Sequence, residues 1–418
     1  MNYIFAKISS EHNFFGNTDP LELAEKFGTP LYVYNEKILR SRCRELKNLV
    51  GYKNFVVNYS PKANSNLEIL KIVRDEGLWT DAMSPGEIYV ALKAGYKPEQ
   101  IFYISNNVDD KEFNYAIDAG VNISVDSVSQ LERYGKLNPN SKVAIRLNPG
   151  VGAGHHKKVV TGGKKTKFGI EIKFLPEVRE ILKKYNLQLI GINQHIGSLF
   201  MSDDSYIESV HNILSIARQF DDLEFIDMGG GFGIPYHKQE NEPRMNLASL
   251  GEKLNKTINK WVSEYGKEVT FKIEPGRYIV AECGILLGTA NSVKMNYDIK
   301  YVGTDIGFNV LVRPVMYNSH HDIEIYRKNN FVSDKEEMVR IVGNICETGD
   351  IVAKDRTLPE IFENDIIGVL DSGAYAFSMS SNYNNRLRPA EVLIDEEGNY
   401  RLVRRRDTLE DLVRNFGV

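Results

Sequence analysis

The amino-acid sequence predicts an α/β protein, a (β/α)8 barrel of the TIM type followed by a C-terminal all-β domain. Eight apolar, β-prone runs alternate with amphipathic helical stretches between Phe55 and Glu274, a pattern typical of parallel strands joined by helices. After Gly276 the helical periodicity gives way to strand-like runs. An open, doubly wound sheet is the alternative for the first half, and the count of eight strands favours the barrel.

The elements of the first half follow from local patterns. A helix is predicted over Pro20–Phe27, capped by Thr18 or Asp19, before a short strand at Leu31–Tyr34 and a helix over 36–49. Further helices are predicted over 66–76, 86–95 and 111–120, and the last two end at glycines that suit a C-cap. The eight barrel strands are predicted at Phe55–Ser60, Thr80–Met83, Ile101–Ser105, Ile123–Asp126, Val143–Asn148, Leu189–His195, Leu223–Met228 and Thr270–Glu274.

The second half is predicted to be a sandwich or a distorted barrel. A turn at Asp395–Asn399 joins the last predicted strand to Tyr400–Val403 as a hairpin, and a final helix follows over 409–416. The domain boundary is expected near residues 276–282. The strands are predicted at Ile279–Ala290, Lys300–Asp305, Val339–Val342, Ile366–Leu370 and Val392–Ile394.

Composition describes an ordinary globular protein. Its 418 residues are 42% hydrophobic and 26% charged, which is enough chain for two domains with a sizeable core. The net charge of −4 gives no reason to expect nucleic acid or an anionic membrane as a partner. Neither a signal peptide nor a membrane-spanning run is recognised, and no metal-ligand spacing is found. Cys43, Cys283 and Cys346 are odd in number and far apart, which favours free thiols in a reducing cytoplasm.

Unusual residues follow the predicted strand ends, where the active sites of (β/α)8 barrels lie. Lys62 follows the first strand, and a partly desolvated lysine can present a neutral amine to a carbonyl group. Gly229–Gly231 follow the seventh strand and let backbone N–H groups approach a phosphate. His195 can stack on a flat ring, and Glu274 can hold positive charge on a heteroaromatic nitrogen. Together these groups describe a site for pyridoxal phosphate (PLP).

Each of these residues also has a structural interpretation. Lys62 alone could be a solvated surface lysine, and Gly229–Gly231 could form a tight turn. His195 could be a core histidine held by a hydrogen bond, and Glu274 a surface carboxylate paired with Arg277. The combination at one end of a predicted barrel favours the cofactor site.

The chain resembles the fold-type III PLP-dependent decarboxylases, and among them the diaminopimelate decarboxylases, from about Gly28 to Ile394. In the barrel the resemblance rests on SPKANSN, SPGEIYVALKAG, IRLNPGVGAGHH with TKFGI, HIGS, DMGGGFGI and EPGRYIVAECG. In the second half it rests on RPVMY, CETGD and SGAYAFSMSSNYNNRLRPAEVLI. The resemblance implies an alanine racemase-like fold, with a PLP-binding barrel over 32–278 and a β domain made of 1–31 with 279–418. It also implies a homodimer with shared active sites.

The resemblance implies a role for each residue that matches a family motif. Lys62 would hold PLP covalently and His195 would stack on its ring. Cys346, in the CETGD loop that enters the partner's site, would protonate the carbanion left when CO2 departs, and Glu347 would hold the substrate's far amine. Cofactor-binding residues would be Lys62, His195, Ser198, Gly229, Gly230, Gly231, Glu274, Gly276, Arg277 and Tyr375. Substrate-binding residues would be Arg277, Arg313, Tyr317, Glu347 and Tyr375, the first three of these at the far carboxylate.

These roles predict decarboxylation of meso-2,6-diaminopimelate to L-lysine and CO2. The alternatives are a fold-type III decarboxylase of ornithine, arginine, D-lysine or D-ornithine, an alanine racemase-like isomerase, or a non-catalytic PLP carrier. Cys346 could instead be an inert buried thiol, and Arg313 could form an ordinary interface ion pair. A glycine-rich loop over 150–165 is expected to close over the site.

Overall fold

The computed structural model describes residues 5–148, 150, 166–195, 197–327 and 335–417. Apart from Gly150, the glycine-rich loop expected to close over the site lies outside these ranges. The chain divides into a barrel unit, Arg40–Ile234 with Arg244–Ile279, and a β unit, Met1–Leu39 with Pro235–Pro243 and Val280–Val418. Within the described ranges, no helix is both long enough and apolar enough to cross a membrane.

The secondary structure is numbered in chain order. The strands are β1 Leu31–Asn35, β2 Phe55–Tyr59, β3 Trp79–Ala82, β4 Ile101–Ile104, β5 Asn122–Val125, β6 Lys142–Asn148, β7 Ile170–Glu171, β8 Gln188–Asn193, β9 Phe225–Asp227, β10 Thr270–Ile273, β11 Gly284–Asn296, β12 Ile299–Thr304, β13 Ile323–Tyr326, β14 Glu336–Val342, β15 Ile351–Pro359, β16 Ile366–Val369, β17 Ala390–Ile394 and β18 Tyr400–Arg404. The helices are α1 Lys7–Glu11, α2 Pro20–Phe27, α3 Glu36–Lys47, α4 Leu67–Asp75, α5 Pro85–Lys93, α6 Asp110–Asp118, α7 Val128–Leu137, α8 Leu175–Lys184, α9 Asp203–Ala217, α10 Leu247–Tyr265, α11 Arg277–Val280, α12 Arg313–Tyr317 and α13 Leu409–Val413.

The barrel unit contains a closed ring of eight parallel strands, which confirms the predicted (β/α)8 barrel. Strands β2 to β6 pair in sequence, β6 pairs with β8, and β8, β9 and β10 lead back to β2. The short β7 pairs with the last two residues of β6, Leu147 and Asn148. Each predicted strand is present, with ends that differ by about two residues or fewer, because the alternating strand and helix periodicities are local signals.

Polar residues begin most helices that follow barrel strands. A side-chain oxygen at each cap accepts a hydrogen bond from a backbone N–H in the first turn, which satisfies a group that the helix itself leaves unpaired. The caps of α4, α5, α6, α7 and α10 are Asn66, Ser84, Asp109, Ser127 and Asn246. Each cap marks the end of a loop between a strand and the next helix, so the caps determine how many loop residues can contribute to the site.

The β unit is built on a mixed sheet in the order β15-β14-β12-β11-β1-β17-β18, with β16 pairing to both β11 and β13. The expected boundary at residue 32 would place β1 with the barrel, whereas β1 pairs here with β11 and β17. All five residues of β1 are buried, as suits a central strand. The core of this unit includes Phe14, Leu31, Ile285, Tyr326 and Val392.

The first strand of the second half begins later than predicted. The sequence predicts a strand over Ile279–Ala290, but α11 ends at Val280 and β11 runs from Gly284 to Asn296. Ala281 and Cys283 between them are fully buried, and a largely apolar run without periodicity does not distinguish a buried helical turn from a strand. Strands β13 and β15 were not predicted, and the final helix ends at Val413 rather than at residue 416.

Candidate active site

The turn after β2 places Lys62 among acidic groups at the carboxyl ends of the barrel strands. Lys62 is half-buried. Its charge lowers the pKa of Asp81 and of Glu274, although burial raises both pKa values by more. Burial raises the pKa of Asp81 to about 7, although Lys62 and a hydrogen bond from Ser60 oppose the shift. Lys62 therefore faces a carboxyl group, Asp81, that can exchange a proton near neutral pH.

Glu274 directly follows β10 and is a buried carboxyl group, not the surface carboxylate of the alternative interpretation. It is 4% exposed, and burial raises its pKa well above the ordinary value, with the neighbouring Asp227 and Asp81 adding to the shift. Glu274 Oε1 and Asp227 Oδ2 accept no hydrogen bond from the described residues. Each of these buried oxygens can accept a hydrogen bond, and a protonated pyridine nitrogen would donate one, so the site fits PLP.

His195 presents a neutral imidazole beside this carboxyl pair. Its Nδ1 accepts a hydrogen bond from the Gly230 N–H at 3.3 Å and lies 4.0 Å from Glu274 Oε2. Burial lowers the pKa of His195 well below its ordinary value, and the charges of Lys62 and Arg146 lower it further. The ring therefore stays uncharged at neutral pH, which suits stacking on an aromatic cofactor.

The protein's own backbone requires the glycines after β9. An ideal Cβ on Gly230 would lie 1.9 Å from the Glu274 carbonyl oxygen, and one on Gly229 would lie 2.3 Å from the Gln194 oxygen. Gly229 and Gly231 also have φ values of +80° and +106°, which favour glycine. The segment is thus a tight turn with no side chain to obstruct a phosphate, and its Gly229 and Gly230 N–H groups donate to Asp227 Oδ1 at 2.9 Å and to His195 Nδ1.

Gly276 brings the EPGR segment against the turn that carries Lys62. A Cβ on Gly276 would lie 3.1 Å from the Ala63 Cβ, and the Ser60 N–H donates to the Pro275 carbonyl at 3.0 Å. The next residue, Arg277, donates from Nη2 to Ser198 Oγ at 3.1 Å. The barrel unit therefore gathers the predicted residues of the first half: Lys62, His195, Ser198, Gly229, Gly230, Gly231, Glu274, Gly276 and Arg277.

Several charged residues inside the barrel were not predicted as part of the site. Arg146 on β6 is 6% exposed, and its charge acts on Glu274, Asp227 and Asp81. Lys272 on β10 is 3% exposed, with its ammonium 4.0 Å from the Phe225 ring centroid. Each interrupts an apolar strand, as in VAIRLN and TFKIE, and such a charge in a buried strand is the signal that would have found them.

The remaining candidates belong to the β unit and fall into separate local networks. Arg313 begins α12, is 2% exposed and is hydrogen-bonded to His321. Tyr317 ends the same helix. Tyr375 lies elsewhere in the chain and has a φ of +56°. Cys346 is exposed, so it is not the buried thiol of the alternative interpretation. Its backbone N–H donates to Asn384 Oδ1 at 3.1 Å.

The CETGD loop has an internal anchor that was also not predicted. Asp350 is 4% exposed and accepts backbone hydrogen bonds from Ile345 and Phe308 at 2.8 and 2.7 Å. The exposed Glu347 accepts a hydrogen bond from the Tyr383 hydroxyl at 2.7 Å. Asp350 therefore holds the base of the loop while its tip remains on the surface.

Comparison with known proteins identifies the family of the chain. Residues 36–281 match the family model described as the pyridoxal binding domain of pyridoxal-dependent decarboxylases. A diaminopimelate decarboxylase of Methanothermobacter thermautotrophicus is 42% identical over 416 residues, covering 97% of this chain and 96% of that protein. The chain belongs to the diaminopimelate decarboxylase family of PLP-dependent decarboxylases. It is accordingly a carboxy-lyase whose cofactor is pyridoxal 5'-phosphate.

Solved structures share the architecture. The crystal structure of diaminopimelate decarboxylase from Helicobacter pylori complexed with L-lysine has a TM-score of 0.86 at 32% identity, covering 95% of this chain and 98% of that one. The lysine/ornithine decarboxylase of Vibrio vulnificus complexed with putrescine has a TM-score of 0.76 at 20% identity, covering 90% and 97%. The second likeness shows the fold alone.

Proposed function

We propose that this chain decarboxylates meso-2,6-diaminopimelate to L-lysine and CO2, as a step of lysine biosynthesis. The observation that carries the proposal is the buried Glu274 carboxyl, whose Oε1 accepts no hydrogen bond from the described residues, beside a neutral His195 and within the field of Lys62. The L-lysine bound in the similar Helicobacter pylori enzyme supports the substrate class.

The chain's residues divide the work at the reacting end. Bound PLP supplies an electron sink for the carbanion left when CO2 departs. Lys62 would hold the cofactor through its amine, Glu274 would accept a hydrogen bond from the ring nitrogen, and His195 would support the ring. The turn at Gly229–Gly231 and the Ser198 hydroxyl would hold the phosphate. Cys346 gives its thiol proton to the substrate carbon that has lost CO2, and a thiol suits this role near neutral pH.

The far end of the substrate explains the remaining candidates. Meso-diaminopimelate carries a second complete amino-acid head, so its recognition needs a cation for the carboxylate and an anion for the amine. We assign the carboxylate to Arg313, Arg277 and Tyr317, and the amine to Glu347, with Tyr375 beside the cofactor phosphate and the substrate. Paired arginine hydrogen bonds give a carboxylate geometric selection as well as attraction.

The exposed CETGD loop supports a homodimer with shared sites. Cys346 and Glu347 are exposed within one chain, yet their proposed roles require them to be enclosed with the substrate. A partner's barrel would enclose them. We also place the enzyme in the cytoplasm, where the three free thiols would stay reduced.

Mixing two inactive variants tests the shared site. Lys62→Ala lacks the covalent attachment and Cys346→Ala lacks the proposed acid, so re-formed dimers would hold one intact site and recover part of the activity. The absence of recovery after verified subunit exchange would contradict the shared site. Lys62→Ala must also lose the visible absorption of dialysis-stable PLP.

Release of CO2 by the PLP-loaded protein tests the proposed substrate. The panel is meso-diaminopimelate, L-ornithine, L-arginine and D-lysine, each alone. Turnover confined to meso-diaminopimelate, with L-lysine as product, is the expected result. Turnover of one of the other amino acids would refute the substrate while keeping the decarboxylase chemistry, and racemisation without CO2 would indicate an isomerase.

A further inference from the structure

Arg313 is held in place by a small network within the β unit. Its Nη1 lies 2.8 Å from His321 Nε2, and its Nη2 donates to Ser319 Oγ at 3.4 Å. The guanidinium carbon lies 4.6 Å from the centroid of the Tyr236 ring. Arg313 and His321 are 2% and 1% exposed. A planar guanidinium packed on an aromatic ring and hydrogen-bonded at its edge has little rotational freedom.

The hydrogen bonds of His321 define its tautomer. His321 Nδ1 lies 2.7 Å from the Leu370 carbonyl oxygen, which can only accept, so Nδ1 carries the proton. Arginine has donors only, so His321 Nε2 must accept from Arg313 Nη1 through its lone pair. The Leu370 carbonyl thereby selects the one neutral form of the imidazole that can hold the arginine.

We propose that His321, with the ring of Tyr236 behind the guanidinium, is a positioning residue that orients Arg313 for the far carboxylate of the substrate. This inference rests on the proposed function and names a residue that determines specificity at the same site. A carboxylate pairs best with a guanidinium whose fork already faces it. A buried and stacked guanidinium has already shed much of its water, so that pairing costs less desolvation than pairing with an exposed arginine.

The neighbouring His320 provides a matched control. Its Nε2 lies 2.9 Å from Asp322 Oδ1 and 2.8 Å from Arg356 Nη1, and its ring lies 3.6 Å from that of His237. His320 therefore belongs to a different hydrogen-bond network, although it is the adjacent residue. Replacing it perturbs the same segment without removing the acceptor that Arg313 uses.

Steady-state kinetics with meso-diaminopimelate test the proposal in the PLP-loaded enzyme. We expect His321→Leu to lower kcat/KM about ten- to hundredfold, the size of a lost hydrogen bond to a charged group. The loss should fall mainly on KM, because the far carboxylate is bound before and during the reaction. His321→Gln, which keeps an acceptor, should recover most of the loss, and His320→Leu should resemble the wild type.

A double-mutant cycle distinguishes positioning from a general structural role. If His321 acts through Arg313, His321→Leu should cost nothing further in an Arg313→Ala background. An equal loss in both backgrounds, or a His321→Leu variant with unchanged KM, would overturn the proposal. If that unchanged KM came with lower PLP occupancy and a lower Tm, His321 would contribute only to the stability of the fold. If the wild type itself releases no CO2 from meso-diaminopimelate, the proposed function fails first, and this inference falls with it.

Discussion

Lys272→Met tests the electrostatics inside the barrel. Lys272 is 3% exposed, and its ammonium lies 4.0 Å from the centroid of the Phe225 ring and 5.0 Å from that of Phe102. Burial lowers its pKa to about 8, although Asp227 and Glu274 oppose the shift. Methionine keeps most of the aliphatic volume and removes the charge.

The magnitude follows from proton linkage. A lysine in the unfolded chain titrates near pH 10.4, about 2.4 pH units above the folded value. Between about pH 8 and 10.4 the unfolded chain binds more protons, so the stability of the wild type rises with pH. At about 1.36 kcal/mol per unit the gain is about 3 kcal/mol. Below pH 8 the lysine is charged in both states, and its contribution does not change with pH.

Thermal unfolding of the cofactor-free protein from pH 7.5 to 10.5 measures this gain. At about 2.1 cal/mol/K per residue, a chain of this length that unfolds in one transition gains about 3 to 4 °C in Tm. We expect wild-type Tm to rise by that amount relative to Lys272→Met. Lys183→Met, at an exposed position on α8, controls for the loss of one charge and should follow the wild type. Parallel curves for wild type and Lys272→Met would refute the reasoning.

Three further predictions concern the site. Burial raises the pKa of Asp81 to about 7, so wild-type stability should fall as pH rises from about 4 to 7, and Asp81→Asn should flatten that part of the Tm profile. Gly230→Ala should cost about 3 kcal/mol or more in urea unfolding and reduce PLP absorption, since its Cβ would meet a carbonyl oxygen at 1.9 Å. Gly266→Ala, with open space around it, should cost only about 1 kcal/mol. Asp350→Ala should lower kcat about tenfold in the CO2 assay with unchanged PLP absorption, because two N–H groups that hold the CETGD loop lose their acceptor; an unchanged kcat would contradict this role of the anchor.

Strand positions were predictable because they depend on neighbouring residues. The runs at Phe55–Tyr59 and Thr270–Ile273 are apolar and bounded by polar or glycine-rich turns, so their ends could be placed within about two residues. The position of β1 was not predictable, because LYVYN reads as a strand in either unit. Only long-range pairing with β11 and β17 decides where it lies.

The site was predictable where it depends on strand ends. Lys62, His195 and Glu274 follow strands that must share one end of a parallel barrel, so their sequence positions alone predicted a common site. The role of His321 was not predictable in this way. Its neighbour His320 looks equivalent in the sequence, and only the Leu370 carbonyl and the Arg313 guanidinium distinguish them.

The sequence by itself determined the eightfold order of strands and the residues that stand at their ends, because periodicity, turns and caps act over a few neighbours. The tertiary structure alone decided how charges are distributed inside the barrel. The pKa values of Asp81, Lys272 and Glu274 depend on burial and on groups that lie far away along the chain. Electrostatic energy follows distance and solvent exposure, which the order of residues does not specify.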